Sequence, residues 1–79
     1  MNRAEAQKLI RKSNIQSDVF SLLWGKVKNK DRTMRLKDIA AKLGRGSDRV
    51  LNAIEPMIRY GIVERESKGV YQVSRSVTK

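Results

Sequence analysis

The sequence predicts a small α+β domain: a three-helix core holding a helix-turn-helix, then a C-terminal β-hairpin, with a short strand before the second core helix and an extra N-terminal helix. Three observations lead there. Two amphipathic segments, 36–43 and 47–58, are separated only by Gly44, Arg45 and Gly46, so two helices formed there must cross steeply. Two β-prone runs, 62–66 and 70–74, are joined by Ser67, Lys68 and Gly69, a turn in which glycine supplies a positive φ. Finally, 79 residues that are 39% apolar and lack cysteine allow one modest core without disulfide or zinc-thiolate support. The chain reads as one domain, with an N-terminal helix or arm at 1–13, a core at 14–74 and a polar tail at 75–79.

Each element has a local reason. Asn2 as cap, with Glu5 three residues on, predicts a helix over residues 2–12 with a narrow apolar strip of Ala6, Leu9 and Ile10. That strip either packs on its own domain or meets a second copy. Ser13 and Gln16 repeat the capping spacing ahead of Ile15, Val19, Leu22, Leu23 and Val27, the first core helix, whose apolar face is widened by Phe20 and Trp24, both expected in the core. Gly25 weakens its end, and Lys26, Lys28, Asn29, Lys30, Asp31 and Arg32 form a charged, solvated loop that could also touch phosphate. Residues 33–36 have the length of a short strand.

Leu36, Ile39, Ala40 and Leu43 make one stripe on the helical period, ended by Gly44, where a helix C-cap takes a left-handed conformation. Ser47, or Gly46 itself, caps the next helix, whose stripe is Val50, Leu51, Ile54, Met57 and Ile58. Pro56 has no amide hydrogen and its ring opposes the carbonyl of Asn52, so this helix is expected to kink or end early. Candidates for the inward face of the hairpin are Val63, Val70, Tyr71 and Val73.

Asp38-Ile39-Ala40, Leu43-Gly44, Val50, Ile54 and Gly61-Ile62-Val63-Glu64-Arg65 together resemble the winged-helix superfamily. Its members commonly carry a helix D/E-I/L-A-x-x-L-G, a turn, a recognition helix and then G-I/L-V/I-x-R. The resemblance covers roughly the last two thirds of the chain and specifies a superfamily, not a protein. It implies DNA binding, with a recognition helix beginning near Ser47 and a wing whose tip, Lys68, reaches a neighbouring groove or the backbone, flanked by Arg65 and Arg75. Three positions depart from the pattern: Gly46 stands where Ser or Thr is usual, Asn52 where Arg is frequent, and Pro56 where proline is seldom found.

Eighteen Lys and Arg against eight Asp and Glu give a formal charge of +10, an excess that most often answers a polyanion. Its placement is uneven. Residues 47–61 are neutral, Arg49 and Arg59 being offset by Asp48 and Glu55, while every other segment is basic. Phosphate attraction is therefore expected from Arg35, Lys37, Lys42, Arg45 and Arg59 around the recognition helix, and from Arg65, Lys68 and Arg75 on the wing. Base readout is assigned to Ser47, Arg49 and Asn52, which project away from the apolar stripe; Arg suits guanine and Asn adenine. For Arg49 the plainer alternative is a surface ion pair with Asp48 or Glu55.

Without His or Cys the chain lacks the usual nucleophile–base systems and the imidazole or thiolate metal sites, and no phosphate-cradling glycine loop follows a strand. The expectation is a non-enzyme that needs no cofactor or metal. It is a cytoplasmic, nucleoid-associated binder of double-stranded DNA, soluble and not secreted, that serves transcription regulation or replication control. A homodimer through residues 2–12, or through Phe20 and Trp24, would supply the second half-site that one small helix-turn-helix needs for useful specificity. No membrane partner and no small-molecule substrate are expected. Two other readings stand beside it: a protein-interaction winged helix acting as adaptor or inhibitor, and a structured-RNA module resembling small basic winged-helix proteins of the ribosomal small subunit.

Overall fold

Residues 1–78 are described by a computed structural model. In chain order they form α1 (Arg3–Ile10), α2 (Asn14–Trp24), β1 (Met34–Arg35), α3 (Leu36–Leu43), α4 (Ser47–Arg59), β2 (Val63–Ser67), β3 (Val70–Val73) and α5 (Arg75–Thr78). The sheet has the order β1-β3-β2 and is antiparallel throughout, with Met34 opposite Tyr71 and Val63 opposite Val73. An α+β architecture with a hairpin after α4 is thus present; α3 has its expected bounds, while the first core helix, expected to reach Val27, ends at Trp24.

Capping fixes the first two helices. Asn2 Oδ1 accepts from the Glu5 amide at 2.9 Å while the Glu5 carboxylate accepts from the Asn2 amide at 3.0 Å, so two otherwise orphaned N–H groups are satisfied reciprocally. Ser13 Oγ accepts from the Gln16 amide at 3.3 Å. Gln16 does not return the bond; its side-chain amide donates to the carbonyl of Ala53 at 3.1 Å and fastens α2 to α4. Between α3 and α4 the chain turns at Gly44, whose φ of 65° is left-handed, and the Arg45 amide closes back on the Ala40 carbonyl at 3.0 Å.

The helical stripes and one face of the sheet meet in a single core. Phe20, Leu23, Ile39, Val50, Ile54, Met57, Ile62 and Val73 are all essentially inaccessible to solvent. Leu51 and Ile58 are only half-buried and pack against its edge, and Val70 is half-buried on the sheet.

Two expectations are corrected here, and two alternatives left open by the sequence are decided. α4 does not end at Pro56 but continues to Arg59. The carbonyl deprived of its bond belongs to exposed Asn52, where water can replace it. The stretch read as a polar tail holds α5 up to Thr78, with Val77 only 3% exposed; Lys79 lies outside the described residues. The apolar strip of the N-terminal helix is largely used internally, since Ala6 and Ile10 are buried and α1 packs against α2 and α5. Phe20, 1% exposed, is core and presents nothing to a second copy. Trp24 is half-buried, its ring centroid 5.7 Å from that of Phe20, and the Arg3 guanidinium lies 4.9 Å above it, pinning α1 to α2.

Candidate nucleic-acid interface

α4 divides cleanly by exposure. Val50, Ala53, Ile54 and Met57 face the core, and Ser47, Asp48, Arg49, Asn52, Glu55 and Arg59 are exposed on the other side. The three residues assigned to base readout are therefore all exposed, but the helical period sets Ser47 on the flank toward the hairpin and Arg49 on the opposite flank, with Asn52 between them. Among the described residues Arg49 has no hydrogen-bond or ion-pair partner, so its expected alternative, a pair with Asp48 or Glu55, is not formed. Gly46 is the N-cap of α4 and supplies no side-chain acceptor, leaving the first amides of the helix without a side-chain cap.

Beside this helix the hairpin is held close. The Gly69 carbonyl at its tip accepts from the Leu36 amide at 2.8 Å, tying the turn to the start of α3. A shallow furrow runs between α4 and the hairpin: Arg59, Glu55 and Arg65 line one end, and Arg65 and Lys68 continue it over a floor of Leu36, Leu51 and Ile58. At the other end Lys68 meets Arg35, Lys37 and Ser47 around a second recess. Five of the predicted cations thus line three adjoining recesses, neighbours in that row sharing Arg65 at one junction and Lys68 at the other. Lys42 lies around the corner in a recess with Arg35 that also holds Lys26, Asp31 and Asp38, and Arg45 is exposed in the turn between α3 and α4.

Arg75 does not belong to this set. It opens α5, beyond the end of β3 remote from Lys68, and its amide donates to Glu64 Oε1 at 3.2 Å. That contact is part of a polar cluster the sequence reading missed. Gln72 and Ser74 are buried on β3 and the following residue, and the Glu64 carboxylate accepts from Gln72 Nε2 at 3.2 Å and from Ser74 Oγ at 3.1 Å. The inner strand of a three-stranded sheet is covered on both edges, so polar side chains on its second face can be buried when partners surround them. Arg32, read as part of a solvated loop, is structural as well: its guanidinium donates to the Val73 carbonyl at 3.2 Å.

Among the described residues one titratable group is clearly perturbed. The Thr33 hydroxyl, and after it the Thr33 amide, bind the Asp31 carboxylate and hold its pKa below the ordinary aspartate value, Lys26 adding to the effect. Among the described residues no group of three potential metal ligands comes together, and no helix is long and apolar enough to cross a membrane.

No protein-family model matches the chain, and no curated protein or solved structure is significantly similar to it.

Proposed function

We propose that the chain is a winged-helix binder of double-stranded DNA, a small regulator of transcription or replication, in which α4 reads base edges and the groove beside it holds the backbone. The observation that carries this reading is the pairing of two features: an exposed α4 face with an unpartnered Arg49 and a groove rimmed by Arg59, Arg65, Lys68, Arg35 and Lys37. Phosphate contacts give affinity and register, and two or three side chains on a neutral helix then discriminate sequence. No catalytic role is proposed. A dimer is part of the proposal, and with Phe20 internal it would use the outer face of α1, where Leu9 stays 47% exposed.

Selection from random duplex DNA near physiological salt tests it. Enrichment of a motif, in inverted half-sites about one helical turn apart if the dimer forms, is the expected outcome. Retention without enrichment would reduce the function to backbone binding. No retention would overturn it in favour of an adaptor, for which the neutrality of α4 is the supporting feature, or of an RNA module if structured RNA is retained instead.

A further inference from the structure

Of the four recesses described, three contain a carboxylate: Asp31 and Asp38 in the one beside Lys42, and Glu55 in the two along the groove. The recess where Arg35, Lys37, Ser47 and Lys68 meet contains none. Its three cations come from three separate elements, β1, α3 and the hairpin turn, and among the described residues none of them has a hydrogen-bond or ion-pair partner. Three cations lining one recess with no acid in its lining leave a local surplus of positive charge that an anion can answer. The hydrogen bond from the Leu36 amide to the Gly69 carbonyl fixes two of the three elements relative to each other, so the cations cannot part by a swing of the hairpin. Ser47 adds a hydroxyl and the positive end of a 13-residue helix.

We propose that this recess is a site for a single tetrahedral phosphate oxyanion, with Arg35, Lys37 and Lys68 as its charge partners and the Ser47 hydroxyl as a fourth donor. On the DNA-binding reading, on which this proposal rests for the source of the oxyanion, the ligand is one backbone phosphodiester. That phosphate sets the register of α4 against the duplex. Ser47 is then a positioning residue, and base discrimination falls to Arg49 and Asn52 alone.

Two measurements on the full chain separate the possibilities. In an amide NMR titration with inorganic phosphate against chloride at matched ionic strength, saturable shifts are expected at Lys37, Ser47 and Gly69, lost in the Lys37→Gln/Lys68→Gln double variant. Uniform, non-saturating shifts across the surface would overturn the site. In the second, methylphosphonates neutralise the phosphates of the selected duplex one at a time, or of a random-sequence duplex if no motif emerges. One position per half-site is expected to cost about tenfold in affinity for the native chain and little for Lys68→Gln. Equal small losses at every position would overturn the proposal while DNA binding stands. Saturable binding of inorganic phosphate without any duplex binding would keep the site and remove the DNA reading, making a free or terminal phosphate the ligand. Ser47→Ala should weaken all sequences alike; a changed base preference would return Ser47 to the readout set and overturn its role here.

Discussion

Arg49 stands next to Asp48 in sequence and one helical turn from Asn52, yet forms no bond with the acid. Its guanidinium is therefore available for a bidentate contact without first breaking an ion pair. Arg49→Ala and Asn52→Ala should each relax preference at one base position, at a cost of about 1–3 kcal/mol against the preferred sequence, and leave thermal stability unchanged. Binding of the two variants to the selected site and to permuted sites checks this, and unaltered preference in both would contradict the assignment. Asp31 gives a pH prediction. Its folded pKa is depressed, so the turn it makes with Thr33 contributes stability above the unfolded aspartate value, near 4, and loses it as pH falls through the lower folded value. The Thr33 amide resonance should follow that titration, and Asp31→Asn should abolish it. Single residues were legible where chemistry and position agree, as for the exposed α4 face. Gln72 and Ser74 were not, because their burial depends on β3 being the inner strand and on the Glu64 carboxylate arriving from β2.

At the level of elements, periodicity and turn chemistry carried the reading. The stripe ending at Gly44 gives α3 its observed bounds, and the Lys68–Gly69 turn places the hairpin, because both signals are local. α5 was illegible for the converse reason: four residues with one apolar side chain have no period, and Val77 is buried by an arrangement made elsewhere in the chain. Val77→Ala should lower stability by about 1–2 kcal/mol and increase amide exchange in α1, against which α5 packs. Exchange raised only in α5 itself would contradict that coupling. The persistence of α4 past Pro56 separates helix geometry from helix stability. Replacing the proline restores a donor for the Asn52 carbonyl, so Pro56→Ala should stabilise the fold by about 1–3 kcal/mol in urea denaturation. A loss of stability would mean that packing of the half-buried ring outweighs the missing bond.

For the whole molecule, the fold class followed from the order of the elements, whereas the destination of α1 depended on which of two surfaces its strip would meet. The charge of +10 is spread so that the groove and its surroundings are basic while α4 is neutral, which makes binding to any polyanion steeply dependent on salt and leaves selectivity to contacts that salt hardly touches. If α1 carries the dimer, Leu9→Asp should convert dimer to monomer in sedimentation and remove the concentration dependence of the melting temperature; an unchanged assembly would move the contact elsewhere. The stacking of Arg3 on Trp24 has a practical consequence for all of this. Trp24 is the sole tryptophan, and the cation above it arrives from α1. Its emission is therefore a built-in optical gauge of whether the N-terminal helix is seated, readable without a label during unfolding, assembly or ligand binding.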